Sequence, residues 1–202
     1  MDSTRAEYII KNISCLPEKK SEPRKENGMT STLIVGGPGT AKTSTILMYS
    51  MRFDAEKQSF KRINFSSATT PGNFQESIDG ELEKKNSKTY EPAGNKKMTV
   101  FIDDFSMPKV NEWGDQETLE ITRQLIDHKG LYFLDREERG NFKTINNLKF
   151  VACMNHPGGG MNDVPNRIKR QFFSMNMPDP SDKSVENIYG QILASLTKNR
   201  KG

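Results

Sequence analysis

Cysteine is scarce in this chain, with Cys15 and Cys153 the only two among 202 residues. They stand far apart and neither has metal-type spacing around it. That excludes a disulfide-stapled small domain and a thiolate metal cluster, and reads as two reduced thiols. The two histidines, His128 and His156, have no ligand-type partners at useful spacing and read as structural or surface residues. Long apolar runs are missing too. No stretch approaches the ~18 to 20 apolar residues of a membrane helix, so no membrane partner is expected. Met1-Asp2-Ser3-Thr4-Arg5 is followed by no apolar run, and no signal peptide is expected. Nor does charge of one sign dominate: 30 Lys and Arg against 26 Asp and Glu leave +4, scattered along the chain. A nucleic-acid surface would want a basic stripe with interleaved aromatics, and there is none.

What remains is 33% apolar and 28% charged, a composition for one well-packed domain with a polar surface. Short apolar runs alternate with helical patterns. Residues 6–16 carry apolar positions at helical spacing, and 17–29 have the composition of a polar loop. Residues 31–35 read as a buried strand, 42–54 as a helix and 61–65 as a second strand. A second helix runs over 71–85, with Pro71 suited to its first turn. The segment 86–97 has loop composition, 98–102 is a strand and 115–129 a helix. The runs 131–134 and 142–145 suggest a hairpin, 148–154 is the next strand, 163–171 a short helix, 172–177 a last strand and 182–196 a closing helix. Such alternation predicts an α/β fold, a parallel sheet covered on both faces, with ligands at the carboxyl ends of the strands.

Three motifs fall at such ends. The first is Gly36-Gly37-Pro38-Gly39-Thr40-Ala41-Lys42-Thr43, which meets the phosphate-loop pattern G-x-x-x-x-G-K-[ST] except at Ala41, where the pattern has its second glycine. A glycine-rich turn lets backbone N–H groups point at phosphates, and the helix behind it adds its positive end. Lys42 would face the β and γ phosphates of ATP, and the Thr43 hydroxyl would ligate Mg²⁺, with Ser44 next in the helix. Alanine is expected to fit at 41 if its φ stays negative, since a left-handed backbone penalises a Cβ.

The second motif is Val100-Phe101-Ile102-Asp103-Asp104, an apolar strand delivering two carboxylates. Asp103 would hold the magnesium through water beside Thr43, and Asp104 would orient or deprotonate the attacking water. Asp104 stands where many such ATPases carry Glu. One missing methylene displaces the carboxylate by about 1 Å, which can cost about 100-fold in rate. An Asp pair capping the next turn is the plainer alternative. The third motif is Phe150 to Asn155, a strand ending in an amide that would reach the γ-phosphate or the attacking water, or serve as an ordinary turn residue before His156-Pro157-Gly158. Beyond it, Arg167, Lys169 and Arg170 lie on a short helix, either as a solvated basic face or as guanidinium groups presented to a neighbour's nucleotide.

At this point a family resemblance is close. The strings GGPGTAKTS (36–44), INFSSATTP (63–71), FIDDFSMPKVNEWGDQ (101–116) and MNHPGGGMNDVPNRIKRQF (154–172) resemble an AAA+ ATPase core, and more narrowly the third AAA+ module of axonemal dynein heavy chains. The resemblance implies a P-loop NTPase three-layer sandwich with a five-stranded parallel sheet in the order 5-1-4-3-2. Residues 1–202 would form a single large AAA+ subdomain, without the small helical lid, and Asp2-Ser3-Thr4-Arg5 would belong to a loop on the adenine side. It also implies ATP or ADP with Mg²⁺ as cofactors, and a regulatory nucleotide site that hydrolyses weakly. Arg167 and Arg170 would act on the preceding module's nucleotide. Partners would be the neighbouring AAA+ modules of the same chain, dynein intermediate and light chains, and microtubules. The location would be the cytoplasm and cytoskeleton, and within them the axoneme of cilia or flagella. Two other readings are a nucleotide-binding module without turnover and a nucleic-acid remodeller of the wider AAA+ class.

Overall fold

A computed structural model describes residues 2–14, 31–134, 136–158 and 160–198. The predicted loop at 17–29 and Cys15 lie outside the described residues. The elements run α1 (Asp2–Ser14), β1 (Thr32–Gly36), α2 (Lys42–Ser50), β2 (Gln58–Asn64), α3 (Pro71–Asp79), β3 (Leu82–Lys84), β4 (Thr89–Pro92), β5 (Lys97–Asp103) and α4 (Glu117–Asp127). They continue with β6 (Gly130–Tyr132), β7 (Phe142–Ile145), β8 (Leu148–Met154), α5 (Asn166–Lys169), β9 (Phe173–Met177) and α6 (Asp182–Lys198).

Five of the strands form one parallel sheet ordered β2-β5-β8-β1-β9. Counted along the chain and read from the other edge, that is 5-1-4-3-2, the expected order. Successive side chains on a strand point to opposite faces, and the core divides accordingly. Leu33, Val100, Ile102, Phe150, Ala152 and Met154 join Phe74 and Ile78 of α3 and Leu119 and Leu125 of α4 on one face. Ile34, Phe101, Val151 and Cys153 join Ala6 and Ile10 of α1 and Ile46 and Tyr49 of α2 on the other. These strands read as unbroken apolar runs because both of their faces are covered.

The ends of the helices follow local chemistry. Thr70 caps α3 by accepting from the Asn73 N–H at 3.2 Å, with Pro71 in the first turn. Helix α3 stops near Gly80, short of the predicted 85, and 82–84 turn into a strand. The first turn of α1 takes up Asp2–Arg5, which the family resemblance put in a loop; Ala6 and Ile10 of the same helix are buried against β1 and α2.

A second, four-stranded sheet has the order β3-β4-β7-β6. Its β6–β7 pair is the predicted hairpin, antiparallel from Gly130↔Thr144 to Tyr132↔Phe142. Its β4 runs through 86–97, where composition predicts loop. Thr89 and Tyr90 pair with Thr144 and Ile145 of β7, a partner far along the chain that no local pattern reveals.

Candidate nucleotide site

The carboxyl ends of β1, β5 and β8 bring the three predicted motifs together. The loop after β1 approaches closely on two sides. A Cβ at Gly36 would come within 2.7 Å of the Met177 carbonyl on β9, and one at Gly37 within 2.8 Å of Asp179 Oδ1. Gly39 turns the loop at φ +79. The N–H groups of Gly39, Thr40 and Ala41 donate to no backbone acceptor among the described residues. They are free to face an anion at the start of α2, where the helix end is positive.

Ala41 itself sits at φ +62, ψ +26 and caps α2 without a side-chain hydrogen bond. The condition under which alanine would fit, a negative φ, is therefore not met: the loop turns into α2 through a left-handed residue, and the alanine is accommodated there. The alanine Cβ bears a strain of about 1 kcal/mol there. The Ala41 carbonyl nonetheless starts the helix, accepting from the Thr45 N–H at 2.9 Å and the Thr45 hydroxyl at 2.8 Å.

Lys42 is buried. Its Nζ donates to the Gly36 carbonyl at 3.0 Å, the Gly37 carbonyl at 2.6 Å and Asn155 Oδ1 at 3.0 Å, and lies 3.4 Å from Thr40 Oγ1. All four acceptors are neutral, and the ammonium has no ion pair with a carboxylate among the described residues. Asn155, the residue just after β8, is thus held on Lys42 across the loop, a bond its position in the sequence does not reveal.

Asp103 is buried at the end of β5, on the same face as Phe101 and hence toward α2. Thr43 Oγ1 donates toward both of its carboxylate oxygens, each at 3.2 Å. The Cys153 thiol donates to Oδ1 at 2.8 Å, and the Arg62 guanidinium, reaching in from β2, donates to Oδ2 at 2.8 Å. Burial foremost, and then the Asp103 carboxylate, push the Cys153 thiol well above its ordinary range, so it stays a protonated donor. The juxtaposed Thr43 hydroxyl and Asp103 carboxylate fit a magnesium ion. Among the described residues no three carboxylate, imidazole or thiol groups converge, and Mg²⁺ bound to one carboxylate and to phosphates needs no such cluster.

Asp104 follows at φ +54, a half-buried residue on a left-handed turn. Its carboxyl is raised above the ordinary range by burial and then by the Asp103 charge, with Lys42 and Arg62 pulling the other way. The finger candidates separate. Arg167 is bound within the domain, 2.8 Å from Asp115 and 3.4 Å from Glu120, whereas Arg170 is exposed and has no ion pair among the described residues. Sequence reading misses Arg62, Cys153 and Asp179 as members of this site. The one available signal is parity: Cys153 is two residues before Asn155 on a strand beside Asp103.

Comparison with known proteins agrees with the motifs. A family model described as "P-loop containing dynein motor region" matches residues 26–180. The flagellar outer-arm dynein gamma chain of Chlamydomonas reinhardtii is 51% identical over 163 residues, 81% of this chain and 4% of that protein. Dynein axonemal heavy chain 5 of Mus musculus is 44% identical over 202 residues, all of this chain and 4% of its own length. Dynein axonemal heavy chain 8 of Homo sapiens is 48% identical over 162 residues, 80% of this chain and again 4% of the relative. This chain is thus similar to a small part of each of these long proteins, and with its phosphate loop and sheet order it belongs to the family of P-loop containing dynein motor regions.

Proposed function

We propose that this chain is an ATP-binding AAA+ module of an axonemal dynein heavy chain, corresponding to the large subdomain of its third module, and that it serves as a regulatory nucleotide site with weak hydrolysis. The observation that carries the binding reading is Lys42, a buried ammonium resting on neutral oxygens at the mouth of a loop with free N–H groups. Phosphate oxygens of ATP or ADP replace those weak acceptors with charged ones, which strengthens each hydrogen bond. Residues 36–44 would cradle the phosphates, and Thr43 and Asp103 would hold Mg²⁺, which would supply neutralisation of the phosphates' charge. Asn155 positions the γ-phosphate or the water, and Asp104 accepts the water's proton. Arg170, exposed and without an ion pair among the described residues, is the better placed of the two arginines to reach a preceding module's nucleotide.

Weak turnover is inferred from Asp104, one methylene short of the usual glutamate and set on a left-handed turn. Residence in an axoneme is supported by the names of the axonemal and flagellar relatives; motor action along microtubules and contacts with neighbouring modules and with dynein intermediate and light chains are what the family resemblance implies for the whole protein. The same Asp104 favours a second reading, in which nucleotide sets the module's conformation without turnover. Single-turnover hydrolysis separates the two. Asp104→Glu is expected to accelerate it by up to about 100-fold and Asp104→Asn to suppress it; no measurable rate in either variant leaves the binding-only reading.

A further inference from the structure

Arg62 has no place in the phosphate-loop motif, yet its guanidinium takes one oxygen of the carboxylate that must serve the magnesium ion. Three donors crowd that carboxylate: Thr43 at 3.2 Å on both oxygens, Cys153 at 2.8 Å on Oδ1 and Arg62 at 2.8 Å on Oδ2. Only Arg62 carries a charge. Its side chain is 45% exposed while that of Asp103 is 9% exposed, so the arginine is the mobile partner and the aspartate the fixed one. The arginine lies on β2, the edge strand of the sheet, with its guanidinium 5.8 Å from the centre of the Phe101 ring. Its partial exposure leaves it room to withdraw.

We propose that Arg62 is a resident cation that competes with Mg²⁺ for Asp103 and lets the site hold nucleotide with little dependence on the metal. This rests on the nucleotide-binding reading above. A guanidinium has five donors and no acceptor, so it cannot bridge a cation to the carboxylate; the two positive groups meet at one buried anion and repel. With the metal absent, Arg62 screens Asp103 from the incoming phosphates. With the metal present, the Arg62–Asp103 contact must loosen before Oδ2 is available. The arginine thus supports nucleotide binding without magnesium and weakens it with magnesium, which narrows the difference between the two conditions.

The test is the affinity of the 202-residue chain for ADP, measured by calorimetry in saturating Mg²⁺ and in excess chelator. The quantity read is the ratio of the two affinities. Arg62→Gln is expected to raise that ratio by roughly 3- to 10-fold, partly by tighter binding with magnesium and partly by weaker binding without it. Arg62→Lys keeps the charge and is expected to stay near the native ratio, a rescue that a merely structural role would not give. If Arg62→Gln fails to fold, Arg62→Met, whose apolar stem still covers Phe101, is read in the same way. A ratio unchanged in the uncharged variant overturns the competition while leaving nucleotide binding intact. No ADP binding by the native chain in either buffer overturns the functional reading and this inference with it.

Discussion

Two buried lysines divide the molecule instructively. Lys143, on β7 of the small sheet, is 4% exposed, and Lys42, at the start of α2, is 9% exposed. Both lie where an unpaired ammonium is expensive. Lys143 is matched from within: Asp79 at the end of α3 accepts its hydrogen bond, and the rings of Tyr90 and Phe133 lie 4.2 and 5.5 Å from its Nζ. Among the described residues Lys42 has two carbonyls, a hydroxyl and an amide oxygen and no ion pair. The fold neutralises one charge and leaves the other for a ligand. Burial alone would not distinguish a structural lysine from a binding one; the charge of its acceptors does.

The comparison can be broken first at Lys143. Lys143→Met keeps the stem against the two rings but strands Asp79, and should cost about 2 kcal/mol in denaturant unfolding, less than a fully buried pair because the Asp79 side chain is 30% exposed. Nucleotide affinity should not change. A loss of affinity without a loss of stability would show that the two lysines had been assigned the wrong way round.

Asp104 gives a smaller, pH-dependent effect. Its carboxyl is raised in the folded chain, so folding favours the protonated form; that stability is present in acid and lost as pH rises through the folded value. Asp104→Asn removes the ionising group, and asparagine suits a positive φ. The variant should therefore exceed the native chain in stability at neutral pH, with the gain fading below the ordinary carboxylate range. Unfolding curves across pH check this, and a gain independent of pH would mean that the backbone, not the charge, is responsible. Smallest is Ala41→Gly, expected to stabilise by about 0.5–1 kcal/mol by relieving the left-handed alanine, less whatever the more flexible unfolded chain takes back. A destabilised Ala41→Gly would contradict the strain at φ +62.

Much of this architecture is legible in the sequence because the deciding signals are local. The apolar runs ending at Gly36, Asp103 and Met154 mark the strands, and Gly, Lys and Thr at fixed spacing mark the phosphate loop. What escapes is set by distant partners. Thr89 and Tyr90 become strand only because Thr144 and Ile145 lie beside them. Arg62 looks like one more surface cation in Lys61-Arg62, until β2 pairs with β5 and carries it to Asp103, 41 positions onward. The left-handed backbone at Ala41 belongs to the loop's geometry and not to alanine's preference, so residue type points the wrong way there. Roles for Asp104 and Asn155 could be named from position, but the Lys42–Asn155 bond and the strained turn at Asp104 needed coordinates.

The central claim, that Lys42 is left unneutralised for a phosphate, is tested most directly by the rise in melting temperature on adding saturating Mg-ATP to the native chain, Lys42→Ala and Lys143→Met. Ligand that binds only the folded state raises stability by mass action. The native chain and Lys143→Met should show equal rises from different baselines, and Lys42→Ala none. An undiminished rise in Lys42→Ala would contradict the claim.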